Sequence, residues 1–180
     1  KDFKTLYTAY LNIIRNVKED LLLIIIGDKK ENLLLKKNKD KFMFVSSYSS
    51  SDKLAEYYSS ADLYIHSSHI ETWGLAISEA LSCGLPVIAS SVGAIPEQVR
   101  GYDRGEKNKL LNLYKINQAN GFLFKRKDAD TLYTLILWIL RNKKYTNRLG
   151  ENARKYAKKH LNINNQIPNY IDYYENLLSK

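Results

Sequence analysis

Two glutamates, Glu71 and Glu79, lie eight positions apart on either side of Gly74, and this pattern suits the binding of a phosphorylated ligand. A helix is predicted to begin near Gly74, and its first N–H groups and its dipole would attract phosphate. Gly74 has no Cβ, so a ligand can approach its backbone closely. A second interpretation needs no ligand: Glu71 complements the helix dipole, and Glu79 is an exposed helix residue. The residue chemistry alone leaves both interpretations open.

The remaining chemistry-bearing residues predict no metal centre, disulfide or cofactor motif. His66 and His69 are three positions apart, a loop spacing that we interpret as incidental rather than as a zinc site, and His160 is remote in sequence from both. Cys83 is the single cysteine, so an internal disulfide is excluded, and we expect a buried small hydrophobe rather than a nucleophile. Neither a Gly-x-Gly-x-x-Gly motif after a strand nor a P-loop is present, so a dinucleotide site or a P-loop site has no support.

Strand and helix patterns alternate around these residues. Apolar residues at three- and four-residue spacing over 3–17 predict a first helix. The apolar run 21–26 fits a strand buried on both faces of a parallel sheet. Further strands are predicted at 42–45, 63–66, 86–89 and 121–124, and further helices at 52–58 with Asp52 as N-cap, at 74–81 stopping at Gly84, and at 129–141, 145–160 and 167–178.

This alternation predicts the fold class. Strands that alternate with helices form βαβ units, so we expect an α/β fold, a Rossmann-like parallel sheet with helices on both faces. Such sheets bind ligands beyond the carboxyl ends of their strands. Glu71 follows the third predicted strand and Glu79 lies in the next helix, so both should lie at that edge.

The segment around the two glutamates resembles a known family. Ser68-x-x-Glu71-Thr72-Trp73-Gly74-Leu75, the run 79–89 and the run 93–97 are similar to the signature of the family-4 retaining glycosyltransferases. The resemblance covers nearly the whole chain, from Lys1 through 25–28 to 120–124 and Asp128. It implies that residues 1–180 form a single domain, the donor-binding half of a GT-B fold, and that an N-terminal acceptor domain lies outside this chain.

The resemblance also implies roles for individual residues. Glu79 would hold the ribose hydroxyls, and Glu71, near the transferred sugar, is the candidate catalytic residue. The remaining candidate donor-binding residues are Trp73, Gly74 and Leu75 through their backbone N–H groups, Lys1 at the diphosphate, and Gly27 and Ser47. The donor substrate would be a nucleoside-diphosphate sugar, with no cofactor and no metal. The acceptor would be a glycan, lipid or small molecule held by the other domain, so the isolated chain should transfer no sugar.

Two features depart from the family pattern and leave alternatives open. Residues 100–119 are interpreted as an inserted loop, and Ser47 stands where glycine is common, so the base cannot be assigned. The alternative functions are a GT-B nucleotide-sugar epimerase, which the spacing of Glu71 and Glu79 disfavours, and a noncatalytic nucleotide-sugar-binding module.

Charge and hydropathy exclude further classes of protein. The net charge is +9, and residues 100–180 carry 17 basic and 7 acidic side chains, mostly along predicted helix surfaces. No aromatic or groove-fitting motif accompanies them, so we expect no nucleic-acid partner. No apolar run reaches about 18 residues, so no transmembrane segment is predicted. We expect a cytoplasmic protein, with contact at the inner face of the membrane left open.

Overall fold

The computed structural model describes residues 1–27, 38–45, 50–103 and 114–179. Within these ranges helices and strands alternate as predicted. The helices are α1 Phe3–Asn16, α2 Ser51–Ser60, α3 Leu75–Ser82, α4 Ile95–Gln98, α5 Ala129–Arg141, α6 Lys143–His160 and α7 Ile163–Leu178. The strands are β1 Leu23–Ile26, β2 Phe42–Val45, β3 Tyr64–His66, β4 Val87–Ser90 and β5 Gly121–Phe124.

The strands pair in parallel, which confirms the predicted fold class. β1 pairs with β2, while β4 pairs with β3 on one side and with β5 on the other. Parallel neighbours require crossover connections, and helices supply several of them here. The described strands form two sheets rather than one, because no hydrogen-bonded ladder joins the β1–β2 pair to the other three.

Helices cover both faces of the three-stranded sheet. β4 is buried along its whole length, and its successive side chains point to opposite faces. Val87 and Ala89 pack in a core cluster with residues of α3 and α6. Ile88 packs in a second cluster with residues of α1 and α5. The apolar run that predicted this strand therefore supplies both cores, and the carboxyl edge of the sheet lies between the two helix layers.

The first strand differs from its prediction. β1 is only half-buried, with Leu22 just before it 51% exposed and Ile26 38% exposed. The expectation of burial on both faces was wrong for this strand. Leu23 and Ile25 pack with α1 and β2 in a smaller cluster, whereas Leu22 and Ile26 alternate with them and remain exposed. Parallel pairing, which the same run predicted, is confirmed.

Helix boundaries follow the predictions with one wrong N-cap. α5 has the predicted bounds, while α6 and α7 begin earlier than predicted. The N-cap of α2 is Ser50, and Asp52 lies within the first turn, where its charge complements the helix dipole. Cys83 is the C-cap of α3 and is half-buried rather than buried, with Gly84 following it.

The ends of the predicted insertion 100–119 are attached to the sheet. The Tyr102 N–H donates to the carbonyl oxygen of Gly121 at 2.8 Å, and the Tyr114 N–H donates to the carbonyl oxygen of Gly101 at 2.8 Å. Residues 104–113 of this segment lie outside the described residues.

The final helix exposes its apolar side chains. α7 has no buried residue, and Tyr170 is 63% exposed. None of the helices in the described part of the chain is long and apolar enough to cross a membrane.

Candidate functional site

The loop after β3 is attached to the start of α1. The Asp2 N–H donates to the carbonyl oxygen of Ser67 at 3.0 Å, and the Ser67 hydroxyl donates to the Asp2 carbonyl oxygen. The Ser68 N–H donates to Ser90 Oγ at 3.0 Å. These buried hydrogen bonds bring the first residue of the chain to the carboxyl edge of the sheet.

Glu71 lies in this loop and has two partners at one carboxylate oxygen. Its Oε2 lies 2.5 Å from Lys1 Nζ and 3.0 Å from His66 Nε2. The side chain of Glu71 is 17% exposed, whereas that of Lys1 is 61% exposed. Hydrogen bonding from Lys1, and next from His66, lowers the pKa of the Glu71 carboxyl below its ordinary value, despite the opposing effect of burial. Glu71 is therefore an ionised carboxylate near neutral pH.

His66 ends β3 and links Glu71 to a tyrosine. Its Nδ1 lies 3.1 Å from the hydroxyl oxygen of Tyr64, two residues earlier on the same strand. The imidazole is 2% exposed. Burial, together with the positive charge of Lys1, lowers the pKa of His66, although Glu71 opposes this shift. Burial also raises the pKa of Tyr64, and the charges of Glu79 and Glu71 raise it further.

Glu79 lies on α3 and has a tyrosine of its own. The hydroxyl of Tyr58, from α2, donates to Glu79 Oε2 at 3.0 Å. Burial is the main cause that raises the pKa of Tyr58, so its hydroxyl keeps its proton. The rings of Tyr58 and Tyr64 meet edge to face, with centroids 5.7 Å apart. The two glutamates are thus joined by an unbroken series of side-chain contacts.

Gly74 is held by a buried glutamine that binds its N–H group. This N–H donates to Gln98 Oε1 at 3.1 Å, and the Leu75 N–H donates to the carbonyl oxygen of Trp73, also at 3.1 Å. Both N–H groups are thus engaged within the protein in this structure, and their predicted contact with the diphosphate or the sugar stays a prediction. The side chains of Trp73 and Leu75 are 42% and 71% exposed.

Gly93 fixes the approach of the next loop to Glu71. Its φ is +52°, and a Cβ built on it would overlap the carbonyl oxygen of Glu71. Only glycine fits this position without displacement of the backbone. The Gly93 in the resemblance motif therefore supports the conformation of the Glu71 loop.

Gly27, another predicted donor-binding residue, is not hydrogen-bonded to this cluster. Gly27 directly follows β1, with a φ of +142°, and its N–H donates to the carbonyl oxygen of Val45 at 3.0 Å. No hydrogen bond described here links Gly27 to Glu71 or Glu79. Ser47 lies outside the described residues.

No group of three or more metal-ligating side chains occurs among the residues that the structure describes. His69, the other loop histidine, lies 3.6 Å through Nδ1 from Asp2 Oδ2. His69 thus pairs with Asp2, the N-cap of α1.

Sequence reasoning missed the residues that orient the glutamates. Tyr58 was placed only in a predicted helix and Tyr64 in a predicted strand, and the spacing of His66 and His69 was interpreted as incidental. One signal was present: Tyr64 and His66 are two apart on a strand and therefore share a face. Gln98 had no comparable signal, because its partner Gly74 lies 24 residues away.

Comparison with known proteins places this geometry in context. The family model described as glycosyl transferases group 1 matches residues 1–156. N-acetyl-alpha-D-glucosaminyl L-malate synthase from Bacillus anthracis is 26% identical over 176 residues, which cover 94% of this chain and 41% of that enzyme.

Solved structures share the fold. Sucrose-phosphate synthase from Thermosynechococcus elongatus matches with a TM-score of 0.71 at 24% identity, over 96% of this chain and 42% of that one. HepE from Anabaena, solved in complex with UDP-glucose, matches with a TM-score of 0.66 at 19% identity, over 96% and 44%. In all three of these comparisons the chain spans less than half of the other protein.

Proposed function

This chain belongs to the glycosyl transferases group 1 family, and we propose that it is the donor-binding domain of a retaining glycosyltransferase. It binds a nucleoside-diphosphate sugar at the carboxyl edge of β3 and α3. The observation that carries the proposal is the ionised Glu71 carboxylate, paired with Lys1 and His66, in the loop that leads to the helix of Glu79.

Each charged residue has a distinct task in the proposed reaction. The Glu79 carboxylate accepts hydrogen bonds from the ribose hydroxyls and so positions the donor without entering the bond-breaking step. Lys1 places positive charge where the departing diphosphate gains negative charge. Glu71 contacts the sugar that is transferred. Retention of configuration is part of the proposal and follows from the family resemblance.

A second domain completes the enzyme in this proposal. The chain spans 41–44% of the three proteins compared above. A second domain would supply the acceptor site and close the cleft against water. The acceptor is then a glycan, a lipid or a small molecule, and we place the reaction in the cytoplasm, where the free thiol of Cys83 persists.

Calorimetric titration of the chain with UDP and UDP-glucose tests the proposal, since HepE is a structural neighbour solved with UDP-glucose. Charge-assisted hydrogen bonds contribute about 1.5–3 kcal/mol each, so Glu79→Gln should weaken both ligands by roughly tenfold or more. Glu71→Gln should leave UDP binding nearly unchanged and weaken UDP-glucose. The matched control is Glu56→Gln, because Glu56 is an exposed glutamate of α2.

Three results would contradict this assignment. If Glu79→Gln binds UDP as tightly as the parent, Glu79 is an ordinary helix residue. If Glu71→Gln weakens UDP and UDP-glucose equally, Glu71 does not contact the sugar. If UDP, ADP and GDP and their glucose conjugates all fail to bind, the nucleotide-sugar proposal itself is wrong.

A further inference from the structure

The contacts of Glu71 form a directed chain of hydrogen bonds that begins on β3. Tyr64 and His66 lie on one face of this strand, and the Tyr64 hydroxyl oxygen is 3.1 Å from His66 Nδ1. His66 Nε2 is 3.0 Å from Glu71 Oε2. The structure thus ties a carboxylate in a loop to two side chains of a strand.

The chemistry of these groups sets the direction of the hydrogen bonds. An ionised carboxylate oxygen can only accept, so His66 Nε2 must carry a proton to bond Glu71. The neutral imidazole then has no proton on Nδ1, and the Tyr64 hydroxyl donates to it. Lys1 Nζ lies 2.9 Å from the same Nε2, but an ammonium group has no acceptor, so this contact is not a hydrogen bond when Nε2 carries the proton, and Lys1 donates to Glu71 instead.

We propose that Tyr64 acts through His66 as a positioning residue for Glu71, by fixing the imidazole tautomer that holds Oε2. This inference rests on the proposed function, because its purpose is to aim Glu71 at the donor sugar. Lys1 and His66 both contact Oε2, so Oε1 is the oxygen that neither of them uses. Oε1 accepts the sugar hydroxyl, and a carboxylate that cannot rotate presents it in one geometry.

The burial of these side chains supports a positioning role. His66 is 2% exposed, so its ring cannot turn into solvent when its partners change. Burial lowers the pKa of His66 and raises that of Tyr64, which keeps the imidazole neutral and the hydroxyl protonated near neutral pH. The charged side chains that face the imidazole are those of Lys1 and Glu71, and Lys1 opposes its protonation.

Tyr58 provides a matched control within the same site. It donates directly to Glu79 and packs edge to face on Tyr64, but it makes no hydrogen bond to His66 that the structure describes. Tyr58→Phe and Tyr64→Phe each remove one hydroxyl and keep the ring. The two variants should therefore affect different glutamates.

NMR of the chain with isotope-labelled histidine reads the tautomer directly, with the His66 ring assigned from its absence in His66→Gln. We expect the parent protein to carry the proton on Nε2 near neutral pH. Tyr64→Phe should shift the ring towards a mixture of tautomers, and Tyr58→Phe should leave it unchanged. A parent imidazole with its proton on Nδ1, or a Tyr64→Phe ring identical to the parent, overturns the proposal.

Binding supplies the second readout. Tyr64→Phe and His66→Gln should reduce the affinity for UDP-glucose relative to UDP by roughly threefold to tenfold, with UDP binding unchanged. Tyr58→Phe should weaken both ligands together. Equal losses for the two ligands in Tyr64→Phe would contradict the inference. If the parent binds no nucleotide, the proposed function fails, but the NMR result still tests the hydrogen bonds from Tyr64 to Glu71. The spectrum of the parent alone tests which imidazole nitrogen carries the proton, even if Tyr64→Phe does not fold.

Discussion

The side chain of Gln98 forms two hydrogen bonds with the backbone of Gly74. Gln98 Oε1 accepts from the Gly74 N–H at 3.1 Å, and Gln98 Nε2 donates to the Gly74 carbonyl oxygen at 3.1 Å. Gln98 is completely buried, and Gly74 is the N-cap of α3. The amide side chain thus pairs with both backbone groups of Gly74, as a peptide group of an adjacent strand would, and stabilises the turn between Glu71 and α3.

Replacement of this glutamine should destabilise the protein. Gln98→Met keeps the volume but leaves the buried Gly74 N–H without its partner, which should lower the free energy of unfolding by about 1–3 kcal/mol. The Gly74 carbonyl oxygen still accepts from the N–H groups of Ile77 and Ser78. Urea unfolding followed by circular dichroism measures the change. Gln118→Met is the control, because Gln118 is exposed. This substitution should change the free energy of unfolding by no more than about 0.5 kcal/mol. If Gln98→Met and Gln118→Met lower the free energy of unfolding equally, Gln98 does not stabilise the turn.

A pair of glycine variants separates backbone strain from close contact. Gly93→Ala combines a positive φ with overlap of the Glu71 carbonyl oxygen, so the free energy of unfolding should fall by about 1–3 kcal/mol. Gly27→Ala also has a positive φ, but nothing lies within 4 Å of its added Cβ. We therefore expect a smaller loss for Gly27→Ala in the same urea titration. A larger loss at Gly27 would contradict the steric argument.

The elements that the sequence predicted best are those whose pattern is local. β2, β5 and α5 have the bounds that their apolar runs and spacing predicted. The burial of β1 was overestimated, because an apolar run shows what a strand could bury and not which elements pack on it. The N-cap of α2 was assigned two residues late, since Asp52 and Ser50 are both good capping residues.

The candidate site was predictable in its carboxylates and not in their partners. Glu71 and Glu79 stood out through spacing and resemblance. Tyr58 reaches Glu79 across 21 residues, and Gln98 reaches Gly74 across 24. Such contacts depend on how α2 and α4 pack, which a single sequence does not contain. The buried glutamine that binds the Gly74 N–H could not be foreseen either.

Acid should destabilise the protein through its histidines before it affects Glu71. Burial lowers the folded-state pKa of His66 and of His160, so as pH falls below about 6.5 the unfolded chain binds protons first. The stability contributed by the neutral imidazoles is complete above that value and is lost below it. The lowered pKa of Glu71 acts only below its ordinary value of 4.5, outside this window.

Unfolding measured at about pH 7.5 and about pH 5.5 tests this expectation. The parent should lose more stability between the two conditions than His66→Gln or His160→Gln, and the double variant should lose least. The comparison concerns the slope with pH, so a general destabilisation by either substitution does not affect it. A steeper loss in His66→Gln would mean that the buried imidazole is charged in the folded protein.

Lys1 links the ion pair of Glu71 to the proposed diphosphate site. Its Nζ lies 2.5 Å from Glu71 Oε2, yet its side chain is 61% exposed, so the ammonium group can move to a phosphate when the donor binds. Exposed ion pairs contribute little to stability, so loss of the contact with Glu71 should not unfold the protein. We expect Lys1→Gln to weaken the binding of UDP by about threefold to tenfold. High salt should weaken UDP binding more in the parent than in this variant, because mobile ions screen an exposed charge.

Lys4→Gln is the control, since Lys4 is an exposed lysine of α1. If both lysine variants bind UDP equally well at low salt, Lys1 serves only Glu71, and the charge that stabilises the leaving diphosphate must come from another residue.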